Sequence, residues 1–455
     1  LPLDGLSTLI DPRAEWRQLF IEAWRLQRDF FYDPNMHGVN WPAMRDHYIK
    51  MLDDCVSRAD VTYVIRELIA ELNVGHAYYW GGGPDDTREV PVGLLGCDFE
   101  LQGGAYRIQK IIHGGVFDLD ARGPLSQPGI NVREGDYLLA LNGVPIDVTQ
   151  DPWAAFQALP PGRTVTLTVS DKPVLELKPA TAPATGEKKE GDEKDKDKDE
   201  KSEETGPTYT GQRDVLVTLI DSGRDMELRY RAWVEKNRAY VAQQSNNQIG
   251  YIHVPDTGID GQNELFRQFY GQRGKAALII DERWNGGGQL PHRFIELLNR
   301  PMTNYWARRD GRDWPSPDDA HPGPKCMLIN GLAGSGGDAF PFYFRQARLG
   351  KLIGMRTWGG LVGISGNPSL IDGAVVTVPT FAFFKLNGTW GVEGHGVDPD
   401  VEVIDDPALM VDGGDPQLDQ AIELMKTEIA RNPYVPPKRP PYPDRSGMGV
   451  PEKDR

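Results

Sequence analysis

The stretch Asn330-Gly331-Leu332-Ala333-Gly334-Ser335-Gly336-Gly337-Asp338 sets one hydroxyl among glycines, between the apolar run Cys326-Met327-Leu328-Ile329 and the aromatic segment Phe340-Pro341-Phe342-Tyr343-Phe344. This pattern predicts a strand, a tight turn and a helix with the serine at the turn. Glycines on both sides let the backbone bend sharply and approach a substrate, and amides at the N-terminus of the next helix point where an oxyanion would form. Those are the requirements of a serine nucleophile. A phosphate cradle is the competing reading of such a loop, but the Lys-Ser/Thr pair of a P-loop is missing.

Asp281-Glu282-Arg283-Trp284-Asn285-Gly286-Gly287-Gly288 repeats the arrangement, an apolar strand running into three glycines before a helix expected from Leu290 to Leu298. Glycines of this kind are often turn punctuation. Two such loops after two strands of one sheet, however, stand along the same edge and can share a site.

A serine hydroxyl needs a base, and two of the eight histidines are candidates. His76 follows Asn73-Val74-Gly75 at a helix end, where the negative end of the dipole favours the imidazolium formed in proton transfer. His395 lies in Gly391-Val392-Glu393-Gly394-His395-Gly396-Val397-Asp398-Pro399-Asp400, where Glu393 supplies a carboxylate. That segment can furnish either a base or an orienting acid. Metal chemistry ranks behind serine chemistry: there is no His-Glu-x-x-His, and Asp318-Asp319 and Asp398 with Asp400 each have a single histidine nearby, His321 and His395. Neither a metal nor a cofactor is expected.

The elements that must position these residues fall into separate textures. Asp11-Pro12 is a helix start, with Trp16, Leu19, Phe20, Ala23, Trp24 and Phe30 at helical spacing, and Asp33-Pro34 is its stop. A second helix is expected from a cap at Asp60 through Val64, Ile65, Leu68, Ile69 and Leu72. From about Arg88 to Asp171 short β-rich runs alternate with Gly and Pro turns, among them Tyr106 to Ile112, Thr164 to Val169 and the Asn142-Gly143 turn. Glu187 to Glu204 holds almost only Glu, Asp, Lys, Gly and Ser and reads as a solvated disordered insertion, because it cannot bury enough apolar surface to offset its ordering entropy. Asp214 to Leu219 then resumes the β-rich pattern. Beyond Arg238, apolar strands at Ile249 to Val254, Ala277 to Asp281 and Cys326 to Asn330 alternate with helices, the texture of an α/β layer core, and the Pro-rich stretch after Asn432 reads as an extended tail.

Composition narrows the function further. The chain has 455 residues, enough for two or three domains, with 39% hydrophobic and 25% charged residues. A formal net charge of -16 argues against nucleic acid, whose binding rests on Lys and Arg at phosphates. No apolar run is long enough to span a bilayer, so no membrane partner is expected. Cys55, Cys97 and Cys326 are odd in number and far apart, which indicates buried free thiols rather than a disulfide framework. No export signal is visible at Leu1-Pro2-Leu3-Asp4, and a cytoplasmic location is the expectation.

Taken together these segments resemble the C-terminal half of the tricorn protease family, relatives of the C-terminal-processing serine peptidases. The resemblance rests on Glu15-Trp16 through Asp33-Pro34, Glu71 to His76, Asp281 to Gly288, Ala333 to Asp338, Gly354 to Gly360 and Trp390 to Asp400, in that order. The β-rich module similarly resembles a PDZ domain, with Gly93-Leu94-Leu95-Gly96 as its peptide-carboxylate loop and Gly135 to Gly143 as its Gly-Asp-x-Leu-Leu-x-Leu-Asn-Gly stretch.

By that resemblance the chain is a serine endopeptidase or oligopeptidase acting on peptides or unfolded proteins. Ser335 is its nucleophile, His76 its base, Glu393 an outer acid, and Gly336, Gly287 and Gly286 its oxyanion donors. The fold implied is a crotonase-like α/β catalytic core with an N-terminal helical lobe and an inserted PDZ-like domain, in a homo-oligomer. The boundaries expected are 1–85 for the lobe, 86–235 for the PDZ-like domain with a charged insertion near 181–210, 236–431 for the core and 432–455 for the tail. The sequence departs from the family at Gly75, where a serine relays between glutamate and histidine, and Tyr305-Trp306 stands roughly where the family has its acidic specificity residue. The β-propellers that family members carry upstream are not legible here, which reads as a shortened form. Two other functions remain: an α/β-hydrolase-like esterase using His395, since Ala333 to Gly337 approximates a nucleophile elbow, and a catalytically weakened PDZ-type peptide-binding scaffold.

Overall fold

Five short apolar runs form a parallel sheet in the computed structural model, which describes residues 9–82, 90–114, 121–174, 212–289, 291–411, 413–446, 449 and 451–454. Across the sheet the strands are Val401–Glu402, Gly350–Gly354, Lys325–Ile329, Ala277–Asp281 and Ile249–His253. Met327 is opposite Ile280 on one side and Leu352 on the other. All five residues of each of the strands Ile249–His253, Ala277–Asp281 and Lys325–Ile329 are buried, as parallel strands covered on both faces require. Because the strands are parallel, the loops after His253, Asp281, Ile329 and Gly354 leave from one edge of the sheet. Helices Ile259–Gln272, Pro291–Leu298, Gly336–Gln346 and Pro416–Arg431 accompany this sheet, and Phe269, Phe294, Phe340 and Phe344 from them pack with Ile252, Ile280, Met327 and Leu352 in one core.

The chain divides into two compact units, one comprising Leu1–Asp86 with Asn237–Arg455, the other Thr87–Lys236. In the first unit, the N-terminal helix Pro12–Phe30 starts at the expected place, with Asp11 accepting from Arg13 N and Ala14 N. The next long helix, Arg58–Ala70, is capped differently from expectation: Ser57 is the N-cap and Asp60 the N3 partner of a capping box. A further helix, Trp41–Tyr48, lies between them and carried too few periodic apolar positions to be seen in the sequence. This lobe is tied to residues 372–379 by the buried Arg58–Asp372 ion pair, by Gln27 Nε2 donating to Thr377 O at 2.9 Å, and by Tyr79 and Trp80 pairing with Val376 and Val375. After Arg431 the tail runs extended along the hairpin Asn304–Trp306/Trp314–Ser316, held by Tyr434 Oη against Tyr305 Oη at 2.8 Å and by Arg439 on Asp313.

The second unit is an antiparallel sheet in the order Cys97–Gln102, Ala105–Ile111, Tyr137–Leu141, Thr164–Ser170 and Gln212–Thr218. Asn142 and Gly143 both have positive φ, 50° and 78°, as a two-residue hairpin turn demands. Gln212–Thr218 pairs along its whole length with Thr164–Ser170, so the sheet resumes after the intervening residues. The charged insertion expected near 181–210 lies outside the described residues. Helix Ser222–Gln244 follows, which the sequence reading did not separate from its surroundings. All three cysteines are free and buried, as expected. No helix among the described residues is long and apolar enough to cross a membrane.

Candidate active site

Ser335 sits at the turn between strand Lys325–Ile329 and helix Gly336–Gln346, with φ 58° and ψ -116°. Such a conformation costs a non-glycine residue about 1–3 kcal/mol, and it persists here because the surroundings fix it. Its amide donates both to Gly360 O and to Asp338 Oδ2, each at 2.9 Å. Asp338 is fully buried and also accepts from Thr357 Oγ1, Gly359 N and Gly360 N. Burial pushes its carboxyl up, against four hydrogen bonds that favour the charge.

Asn285, also fully buried, joins the neighbouring glycine loop to this turn: its carbonyl accepts Gly334 N at 3.1 Å, and its side chain donates to Val254 O at 3.1 Å. Asn330 Oδ1 accepts from both loops, taking Trp284 N at 3.0 Å and Leu332 N at 3.2 Å. Further back, the buried Arg283 pairs with Asp281 and with Asp415, the N-cap of helix Pro416–Arg431. None of these buried polar residues was singled out in the sequence. Only their spacing from the glycines could have flagged them.

The glycines earn their identity by close approach. A Cβ on Gly287, which has φ +86°, would stand 2.7 Å from Ser335 Cβ, and one on Gly336 would stand 2.5 Å from Gly288 O. The free amides, however, are not all those expected. Gly336 N has no acceptor among the described residues, but Gly286 N donates to Pro255 O at 2.9 Å and Gly287 N to Asn285 Oδ1 at 2.9 Å. Gly286 and Gly287 are therefore not open donors: the turn spends both N–H groups on its own closure. Gly288 N is the amide of that loop left without an acceptor among the described residues.

His76 and Ser335 line one cleft of about 710 Å³ together with Gly288, Gly336, Ala339, Tyr343, Leu361, Ile364, Phe381 and Phe383. Burial holds the His76 imidazole below the ordinary histidine value, opposed by the nearby Glu393 charge, so it is neutral at pH 7 and able to accept a proton. Glu393 accepts Gly75 N at 2.8 Å on Oε1, and Leu361 N and Val362 N on Oε2. It thus reaches the residue before His76 through the backbone. His76 Nδ1 is buried with no hydrogen-bond partner among the described residues, at the place where Gly75 supplies no hydroxyl.

His395 is not among the cleft residues. Its side chain is 57% exposed and bonds Asp398 Oδ2 through Nε2 at 2.8 Å, so the esterase arrangement is not assembled. Asp319 and His321 are likewise occupied, by Arg300 and Tyr270 and by Lys275 O. Among the described residues no group of three or more His, Cys, Asp or Glu is placed to hold a metal ion. In the second unit, Leu94 of the Gly93-Leu94-Leu95-Gly96 loop exchanges both backbone hydrogen bonds with Ile220, and Leu95 is fully buried.

Residues 248–403, which hold the parallel sheet and the serine turn, match peptidase family S41. Residues 12–70 match the tricorn protease C1 domain and residues 93–176 the tricorn protease PDZ domain. The chain belongs to the tricorn protease family. It is 34% identical to tricorn protease homolog 1 of Streptomyces coelicolor, over 96% of this chain and 38% of the relative. With the tricorn protease of Thermoplasma volcanium the identity is 32%, over 96% of this chain and 39% of that one. A crystal structure of the tricorn protease superposes with a TM-score of 0.81 at 32% identity, covering 94% of this chain and 38% of that chain. The chain thus spans about two fifths of the length of these relatives.

Proposed function

We propose that this chain is a serine peptidase that hydrolyses peptide bonds through an acyl-enzyme on Ser335. The observation that carries the reading is the placement of a strained Ser335 and a neutral, half-buried His76 in one cleft. Ser335 Oγ attacks the scissile carbonyl carbon while its proton passes to the His76 imidazole. The C–N bond then breaks, the imidazolium returns the proton to the leaving amine, and water repeats the sequence to free the acyl group and restore Ser335. The oxyanion is held by Gly336 N, at the start of helix Gly336–Gln346, with Gly288 N as second donor in place of Gly286 and Gly287. Glu393 fixes the Gly75–His76 backbone. No Asp, Glu, Lys or Arg lines the cleft among the described residues, so the substrate side chain taken there is uncharged and apolar.

A fluorophosphonate probe tests the nucleophile directly: wild type is labelled, Ser335→Ala is not, and both have the same melting temperature. Labelling of Ser335→Ala at the wild-type rate would falsify the assignment. A peptide-library digest with the same pair reads the substrate class.

The finer architecture belongs to the same proposal. The α/β layer is read as crotonase-like, with a lobe over 1–85, a PDZ-like domain over 86–235, the core over 236–431 and a tail over 432–455. The Gly93 to Gly96 loop is read as a peptide-carboxylate site working through the amides that Leu94 does not use. A homo-oligomer is supported by the exposed apolar residues Phe384, Leu386 and Trp390, which are 67%, 98% and 64% exposed. A cytoplasmic location is supported by three buried free thiols, which suit a reducing compartment. Light scattering of the purified chain tests the assembly.

A further inference from the structure

The His76 backbone is held from three directions, yet among the described residues its ring has no hydrogen bond to orient it. His76 takes φ +59°; Thr377 Oγ1 donates to its carbonyl at 2.5 Å, Tyr78 N donates to Thr377 Oγ1 at 2.8 Å, and Gly75 N is tied to Glu393. Nδ1, by contrast, is buried and unpartnered among the described residues. The imidazole instead meets aromatic rings: Trp358 at 5.7 Å between centroids with 52° between planes, and Tyr78 at 6.1 Å with 51°. Glu393 and Tyr78 are the titratable groups that face it.

Trp358 also reaches the nucleophile's turn. Its amide donates to Ala333 O at 2.9 Å, and its indole lies over two glycines: a Cβ on Gly334 would be 2.5 Å from the ring, and one on Gly360 2.2 Å. Gly334 directly precedes Ser335, and Gly360 O accepts the Ser335 amide. Both glycines are explained by the indole, because any side chain there would expel it. One side chain therefore touches the base and the two segments that hold the nucleophile.

We propose that Trp358 is the positioning residue of the base: its indole holds the His76 imidazole towards Ser335 in place of a hydrogen bond at Nδ1, and its π face stabilises the imidazolium when Ser335 loses its proton. The inference rests on the reading of His76 as the base. Cation–π attraction of this kind is strongest for Trp and grows with desolvation.

The test compares Trp358→Phe, which keeps an aromatic face, with Trp358→Leu, which keeps apolar bulk alone. Peptide kcat and KM, the fluorophosphonate labelling rate against pH, and melting temperature are measured for both, beside His76→Ala. Trp358→Phe is expected to stay near wild type, whereas Trp358→Leu loses roughly tenfold or more in kcat with KM little changed. The acidic limb of the Trp358→Leu labelling profile moves down, because the imidazolium loses its π partner while the apolar bulk that desolvates it stays. Equal rates and equal limbs in the two variants would overturn the proposal. So would failure of Trp358→Phe to fold, which would make the indole a packing residue only. Wild-type labelling of His76→Ala would instead remove the base itself, a separate and recognisable outcome.

Discussion

Glu393 Oε1 accepts the amide of Gly75 at 2.8 Å, so the carboxylate reaches the base through the peptide that precedes His76 and not through a side chain. Its other oxygen accepts the amides of Leu361 and Val362, so three N–H donors meet the one carboxylate. Glu393→Gln turns one of these acceptors into a donor that faces an N–H group. Each hydrogen bond lost to a charged acceptor is worth about 1.5–3 kcal/mol. A lower melting temperature and a slower kcat at neutral pH are expected together. Unchanged kcat in a destabilised Glu393→Gln would limit the residue to a structural tie.

The cleft makes a prediction about specificity. Gly336, Ala339 and Tyr343 follow one face of helix Gly336–Gln346 and meet Leu361, Ile364, Phe381 and Phe383 across the cleft. A library digest is expected to show cleavage beside large apolar side chains and little beside Lys, Arg, Asp or Glu. Ile364→Asp, on the partly exposed wall, should lower kcat/KM for apolar peptides by roughly tenfold, the scale of about 1–3 kcal/mol for one mismatched apolar contact. Wild-type cleavage beside Lys or Arg would show that a charge outside this lining sets the preference.

Much of this site was legible because its determinants are local. The glycine pattern around Ser335, the cap at Asp11-Pro12 and the Asn142-Gly143 turn follow from backbone conformations that few residues adopt, and the structure has them where they were expected. What escaped were relations between distant segments. Asp338, Asn285 and Asn330 are buried acceptors whose partners lie in other loops, and a lone Asp or Asn gives no sign of which amides it will find. That the Gly286 and Gly287 amides are engaged escaped for the same reason: which of three consecutive glycine amides stays free depends on Pro255 and on the side chain of Asn285. Trp358 is 48% exposed and sits in an unpatterned loop, so only the fold reveals that Gly334 and Gly360 are small on its account.

Glu282, next to Arg283, gives a pH-dependent prediction for stability. It is fully buried with both carboxyl oxygens unpartnered among the described residues, and burial, with Asp338 and Asp281 nearby, pushes its carboxyl well above the ordinary glutamate value. The folded state therefore keeps the proton while the unfolded state releases it. Its share of stability is full below the unfolded value and falls as pH rises, by up to about 1.4 kcal/mol per pH unit until the folded group ionises. Glu282→Gln cannot ionise. Its melting temperature should exceed wild type at pH 8, with the gap closing towards pH 5. A gap that is constant with pH would mean that Glu282 is ionised in the folded protein.

The last prediction concerns Gly75, where a serine would restore the relay seen in the family resemblance. The backbone there is not left-handed, so conformation alone does not forbid a side chain. Space does matter: a Cβ would stand 2.9 Å from Gly360 Cα and 3.1 Å from Glu393 Oε1. The first contact is with backbone, and Gly360 cannot retreat freely because its carbonyl holds the Ser335 amide and its Cα faces the Trp358 ring. Overpacking of this kind costs about 1–3 kcal/mol. The second contact, however, brings a serine hydroxyl within reach of Glu393, beside the unpartnered Nδ1 of His76. Gly75→Ser and Gly75→Ala should therefore lower the melting temperature by similar amounts, and neither should exceed wild-type turnover. Their ratio isolates the hydroxyl, and Gly75→Ser is expected to turn over several times faster than Gly75→Ala. Equal turnover in the two variants would show that the backbone shift dominates and that Glu393 acts on His76 only through the amide of residue 75. Turnover of Gly75→Ser above wild type would show that the Gly360 backbone yields, and that the missing hydroxyl limits the native chain.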